Sequence, residues 1–341
     1  MKVLCKWVAT AATAISISAA GVLSAAAGTL ESVRTAGVLR CGIGEDRPGF
    51  SQHDAAGDWI GLDADFCRAV AAAVLGDAAK VRFVPLLVTE RFAALKAGRV
   101  HLLARSTSWT LSREAGFEVL FVGPLVFDAQ KVLVRADGGI RGLTDLGGRS
   151  VCVLRGTDQA NKLTTATARL GVAPSIVVTD GESDLRHAFA EGRCEAVSGD
   201  ETFLSALRLR PDGPPGTALL SDVVGKEVIG PWVRQEDARW FGIVRAVLSG
   251  LVAGGERGLG RGAARDALAD PAKLPATYRD AMRRVAVGYG LADEWLLLAL
   301  AAVGHHGEIL DRHFGEHGAV PIPRGRNTLA NDGGLFFAPP F

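Results

Sequence analysis

Apolar runs alternate with helical patterns along most of the chain. Residues 37–43 read as a strand, and residues 65–75 read as a helix with Phe66, Val70 and Val74 at helical spacing. Residues 81–85 follow as a strand, 90–96 as a helix and 100–104 as a strand. After Asp145 the pattern restarts. Residues 150–154, 176–179 and 194–198 read as strands, with helices predicted over 161–170 and 184–190. Strands that alternate with helices in this way predict an α/β architecture with largely parallel sheets.

A weak internal repeat supports two similar halves. The segment FAALKAGRV, starting at Phe92, runs into the strand at His101, and HAFAEGRC, starting at His187, runs into the strand at Glu195. Seven residues after the turn arginine, one copy reaches Ser106 and the other Asp200. Both fall just past the predicted carboxyl end of a strand, where open α/β sheets bind ligands. Two such sheets facing one another would enclose a cleft.

The remainder is less regular. The Pro- and Gly-rich residues 210–216 read as a loop. Residues 240–252 predict an amphipathic helix with Trp240, Val244, Val247 and Leu251 on one side, and the glycine-rich residues 254–262 a surface connection. Residues 295–303 are apolar on nearly every side, which predicts a buried helix. The tail after Arg324 carries no pattern that assigns it.

Composition places all this in a globular protein. Of 341 residues, 48% are hydrophobic and 22% charged, while aromatics at 6% leave most of the packing to Leu, Val and Ala. The first 27 residues stand apart. Lys2 and Lys6 precede an uncharged stretch from Val8 to Leu23, and Ala25 to Ala27 offer a small-residue cleavage site, the layout of a secretory signal peptide. The segment is short and weakly hydrophobic for a membrane anchor. Removing it takes two lysines from the 38 basic residues and none of the 37 acidic ones, so the formal charge moves from +1 to −1. A chain so balanced has no bias toward nucleic acid or anionic lipid.

Four cysteines remain after cleavage: Cys41, Cys67, Cys152 and Cys194. An even number in an exported chain points to disulfides, for which three pairings exist; free buried thiols are the alternative. Pairing within each half, Cys41 with Cys67 and Cys152 with Cys194, is the economical choice. The spacings match no zinc motif. His305, His306 and His313 have no Cys or acid at ligand spacing, so no metal or other cofactor is expected.

The run GLDADFCRAVA from Gly61 resembles the signature of the polar amino-acid family of periplasmic solute-binding proteins, and within it the general L-amino-acid-binding proteins. Further matches, in order along the mature chain, are Pro48-Gly-Phe-Ser, Glu90-Arg-Phe, the stretch from Ser108 to Arg113, Gly156-Thr157, Gly230-Pro, Val233-Arg-Gln, Gly307-Glu-Ile and Gly333-Gly-Leu. The resemblance implies a type II periplasmic-binding-protein fold. Lobe one would comprise residues 28–130 and 223–341, and lobe two residues 131–222. Two crossings, near 127–132 and 221–228, would join them around a ligand cleft. The expected protein is a monomeric periplasmic component of an ABC importer, which delivers a free L-amino acid to a membrane permease.

An amino acid presents a carboxylate and an ammonium, and both must be satisfied once stripped of water. A guanidinium suits the carboxylate because its planar fork donates two parallel hydrogen bonds. The resemblance implies that Arg113, helped by Ser108, takes the carboxylate, and that Asp200, with Ser106 near it, takes the ammonium. Gly156 and Thr157, at a predicted helix start, would add lobe two's share of the carboxylate site. Asp63 and Asp65, at another helix start, read as capping and macrodipole residues. Three departures from the family pattern bear on the side-chain pocket: His101 in place of an acid, the charged loop with Glu45 and Asp46, and residues 125–127 in place of tyrosines. The same fold also hosts enzymes of the cyclohexadienyl dehydratase type. Glu45, Asp46 and Asp158 are the cleft-side acids such chemistry would need, and no catalytic residue is assigned.

Overall fold

A computed structural model describes residues 28–210 and 213–341, so the signal-peptide expectation for residues 1–27 lies outside the described residues. The strands are β1 (Leu39–Ile43), β2 (Gln52–His53), β3 (Trp59–Ile60), β4 (Val81–Pro85), β5 (Leu102–Ser108), β6 (Val119–Phe121), β7 (Val126–Arg135), β8 (Ser150–Leu154), β9 (Ser175–Thr179), β10 (Ala196–Asp200), β11 (Thr217–Leu219) and β12 (Gly225–Arg234). The helices are α1 (Thr29–Ala36), α2 (Leu62–Leu75), α3 (Arg91–Lys96), α4 (Leu111–Phe117), α5 (Gln159–Ala168), α6 (Glu182–Ala190), α7 (Glu201–Leu209), α8 (Ala238–Glu256), α9 (Arg261–Ala269), α10 (Ala276–Tyr289), α11 (Trp295–Val303) and α12 (His306–Phe314).

The main sheet runs β4-β1-β5-β12-β7-β10-β8-β9. Its two ends are parallel: β1 with β4 and β5, and β8 with β9 and β10. Parallel neighbours need crossover connections, which the helices between these strands supply. The middle is antiparallel. In the strands β7 and β12, Val126 lies opposite Ile229 and Gln130 opposite Gly225; β12 then pairs with β5 and β7 with β10. These two strands carry the sheet from one half of the molecule into the other.

Hydrophobic cores lie on both sides of this junction. One combines α2, α8 and α11 and buries Phe66, Trp240 and Trp295. Two smaller clusters centre on Phe189 and Phe203, and on Val132, Val151 and Leu163. Helix α11 is buried as its all-round apolar pattern predicts, with Trp295, Leu296, Ala299 and Leu300 fully enclosed. The surface connection expected from residue 254 is corrected: α8 continues to Glu256. Added Cβ atoms at Gly250 and Gly254 would come within 2.5 Å and 2.8 Å of Leu296 and Leu300 side-chain atoms. The glycines thus let α8 approach α11 closely, a packing role that a composition-based loop reading misses.

The unassigned tail clasps the junction. Phe127 donates its N–H to Asn327 Oδ1 at 2.7 Å, and Asn327 Nδ2 donates to Phe127 O at 2.9 Å. Phe336 packs on Phe127 and on His306, with ring centroids 5.1 Å and 4.1 Å apart. Disulfides join Cys41 to Cys67 and Cys152 to Cys194, with Cα separations of 6.2 Å and 5.7 Å. The first ties β1 to α2. The second ties β8 to the turn ahead of β10, because the strand expected at 194–198 begins at Ala196.

Candidate ligand-binding cleft

The carboxyl ends of the parallel strands face one another across the junction, and a small cavity of about 20 Å³ lies between them. That is room for a single water. Arg47, Arg91, Arg105, Ser106, Ser108 and Arg113 line it from one side, Thr157, Asp158, Lys162 and Asp200 from the other, and Glu227 from β12. The sides touch through charged groups. Arg47 Nη2 lies 2.5 Å from Asp200 Oδ2, Arg47 Nη1 lies 3.5 Å from Glu182, and Arg210 pairs with Asp46 at 2.8 Å. Arg91 Nη2 donates to Gly156 O at 3.2 Å.

Five of the six residues expected to bind ligand meet at this cavity: Ser106, Ser108, Arg113, Thr157 and Asp200. Gly156 borders the next cavity, where a Cβ would press on Val88 and Thr89 at 3.3–3.4 Å; at φ +76° it suits glycine. Arg113 sits in the first turn of α4, whose Thr110 Oγ1 accepts from Arg113 N at 3.2 Å. Its guanidinium is steadied by Nη1 donating to Ser108 O at 2.5 Å. Thr157 is not the N-cap of α5. Its hydroxyl donates to Leu154 O at 2.6 Å, which shapes the turn before the helix.

Ser106 was expected just past a strand end, but it lies inside β5 at φ +44°, a conformation costly for a residue with a Cβ. Asp63 holds it there, accepting from Ser106 N and Oγ, both at 2.9 Å. Neither acid of the α2 signature caps its helix, a correction to the sequence reading. Asp65 instead accepts from His313 Nε2 and Arg312 Nη2, both at 2.7 Å, and so binds α2 to α12. Complete burial pushes Asp63 up to about 6, against hydrogen bonds from Ser106 and the field of Arg47. The folded chain therefore keeps a proton that the unfolded chain releases above pH 3.8. This contribution to stability is fully present below that pH and is lost as pH rises through 6. Asp63→Asn keeps an oxygen acceptor and removes the buried charge. Relative to wild type, its stability should improve by about 2 kcal/mol between pH 4.5 and 7.5 in urea unfolding. An unchanged difference would refute the burial cost.

Asp200 occupies the N-cap position of α7, but its side chain makes no cap there. Asp128, from β7, takes over: Thr202 N and Oγ1 donate to its Oδ2 at 3.3 Å and 2.5 Å. Asp200 is thereby left for Arg47. Burial, with Asp200 close by, pushes Asp128 up to about 7, and the same two causes raise Glu227. Glu227 is held through Oε1 by Lys162 at 2.7 Å, and its buried Oε2 has no partner.

The arginines Arg47, Arg91 and Arg105, with Lys162 and Glu227, were not singled out from the sequence as site residues. Two carried a signal: Arg91 lies inside the Glu90-Arg-Phe match, and Arg47 ends the charged loop with Glu45 and Asp46. That loop borders a second cavity of about 230 Å³, which shares Val88, Arg105 and Leu154 with the first. His101 and Phe127 lie elsewhere. His101 precedes the amino end of β5, opposite the cleft end of that strand; its Nδ1 accepts from Arg40 N of β1, and burial pushes it down to about 4. Phe127 borders a cavity of about 450 Å³ beside the C-terminal tail. His305, His306 and His313 do separate work. His305 accepts from Glu308 N to cap α12, His306 Nε2 bonds Leu125 O at 2.8 Å, and His313 holds Asp65.

The two α/β lobes meet at a charged cleft at their facing strand ends, the architecture of a solute receptor. Residues 39–258 match the bacterial extracellular solute-binding proteins, family 3, and the chain belongs to that family. It is 36% identical to the putative amino-acid ABC transporter-binding protein YhdW of Escherichia coli (strain K12), over 98% of both chains. It is 32% identical to the general L-amino acid-binding periplasmic protein AapJ of Rhizobium johnstonii, over 97% of both. Among solved structures, a periplasmic binding protein from Brucella ovis with glutathione bound superposes with a TM-score of 0.86 at 33% identity, covering 92% of this chain and 99% of that one. No helix among the described residues is long and apolar enough to cross a membrane.

Proposed function

We propose that this chain is the periplasmic, monomeric, non-enzymatic receptor of an ABC importer, and that it captures an L-amino acid or a small amino-acid derivative in the cleft. The observation that carries the reading is the convergence of Arg113, Ser108, Thr157 and Asp200, from both sides of the junction, on one cavity. Arg113 and Ser108 receive the ligand's carboxylate, with the turn at Gly156 and Thr157 opposite. Asp200 is the acid placed for an ammonium, which it can accept only where Arg47 yields it. Residues 28–130 and 223–341 form lobe one and residues 131–222 lobe two, and β7 and β12 make the crossings. A ligand touching both lobes favours their closure by its differential contacts, and the closed form is what a permease reads as loaded. The names of the relatives support this class of ligand, and neither the nucleic-acid nor the enzyme reading gains a specific observation. Thermal unfolding of the mature protein against the L-amino acids and glutathione tests it. A ligand at 100 times its Kd should add about 2.7 kcal/mol and raise the melting temperature; no shift with any of them overturns the reading.

A further inference from the structure

The cleft holds more positive charge than its acids neutralise. Arg91, Arg105 and Arg113 meet no carboxylate. Arg91 donates to Val88 O and Gly156 O, Arg105 donates through Nε to Leu86 O at 2.8 Å, and Arg113 donates through Nη1 to Ser108 O. Among the described residues, no protein acceptor bonds the Nη atoms of Arg105, or Nε and Nη2 of Arg113. Arg91 and Arg105 are only 4% and 5% exposed, and the buried Nε of Arg91 has no partner. Burial first, and then the neighbouring arginines, hold Arg91 well below the usual arginine range. Acids act on Arg105 and Arg113 only from beyond ion-pair distance, and a buried charge without a paired carboxylate is costly, so the arrangement favours a ligand that brings more than one negative charge.

Three of the acids already hold partners: Glu227 holds Lys162 through Oε1, Asp63 holds Ser106, and Asp200 holds Arg47, while Asp158 accepts from Asn161. Arg47 is firmly seated. It pairs with Asp200 and Glu182, and its guanidinium carbon lies 5.3 Å and 5.2 Å from the rings of Phe50 and Phe203. At Asp200 a free ammonium would have to displace a guanidinium fixed on four sides.

We propose that Arg47 stands in for the ligand's ammonium, and that the cleft takes a dicarboxylate whose amino group is acylated or absent, with one carboxylate on Arg113 and the other on Arg105. The proposal rests on the cleft being the ligand site.

Calorimetry on the mature protein with N-acetyl-L-glutamate, glutarate, L-glutamate, L-glutamine and L-leucine tests it. N-acetylglutamate or glutarate should bind at least as tightly as glutamate, and glutamine and leucine should be weaker by about 30-fold or more, the loss of one buried charge pair. Tighter binding of N-acetylglutamate than of glutarate identifies an acylated amino acid; the reverse identifies a plain dicarboxylate. Arg105→Met should erase the preference for glutamate over glutamine. Arg47→Leu should free Asp200 and move the ratio toward glutamate over N-acetylglutamate by about tenfold or more. Weaker binding of both N-acetylglutamate and glutarate than of glutamate, or glutamine binding as well as glutamate, overturns the inference and leaves amino-acid capture standing. No binding by any of these compounds, nor by any standard L-amino acid, overturns both.

Discussion

Replacing Arg113 with alanine is expected to weaken ligand binding by about 30-fold to several thousand-fold, the usual loss of about 2–5 kcal/mol when one partner of a buried charge pair is truncated. The side chain stands at the start of α4 with a single protein hydrogen bond, from Nη1 to Ser108 O, and its Nε and Nη2 are left for a carboxylate. Folding should be spared. The cap at Thr110 uses the backbone N–H of residue 113, which alanine retains, and no buried core residue lies in α4. Losing the charge also relieves Arg91, which Arg113 holds down. Arg113→Lys should fall between the two, because an ammonium keeps the charge but not the planar fork. Calorimetry with the ligand found by thermal screening checks both variants. Wild-type affinity in Arg113→Ala would mean that the carboxylate lies elsewhere in the cleft.

How far the sequence led depended on how local each signal was. Strand–helix alternation is set by side-chain periodicity over a few residues, so β1, β4, β8 and β9 fall within two residues of where the pattern placed them. Ser106 and Asp200 were legible because each sits near the carboxyl end of such a strand. The arginines were harder. Arg105 follows an apolar run and Arg91 opens a short helix, and neither spacing reveals that the two point into one cavity. Their convergence depends on how the halves of the sheet face each other across β7 and β12. The same holds for Asp63. From sequence it is an acid at a helix start, but its partner, Ser106, lies 43 residues away and needs it because of a backbone kink that no pattern announces. The C-terminal tail has no periodicity because its work is done by single contacts, above all Asn327 on Phe127. The glycines of α8 misled for a related reason, since close helix packing and a flexible loop call for the same residue.

Removing both disulfides is expected to be the most damaging change to stability. The bridges span 26 and 42 residues, and the loop-entropy relation gives each about 3–4 kcal/mol of stabilisation through the unfolded chain. Together they match a large share of the roughly 5–15 kcal/mol that separates a typical folded domain from its unfolded state. The two losses should not be equal in consequence. Cys41–Cys67 sits inside the largest core, where α2, α8 and α11 remain packed around Trp240 and Trp295 without it. Cys152–Cys194 lies in the half built on the two smaller clusters, and its cysteines are themselves part of one of them. The Cys152→Ala/Cys194→Ala variant should therefore show the larger drop in denaturant midpoint, and an early transition confined to residues of the second half in hydrogen exchange. Each bridge closes within one side of the junction, so neither restrains the β7–β12 crossings. Cys41→Ala/Cys67→Ala should accordingly bind its ligand like wild type at temperatures where it stays folded. Equal stability with and without reductant would show that the bridges contribute little, and impaired binding by the folded Cys41→Ala/Cys67→Ala variant would show that the first bridge also shapes the cleft.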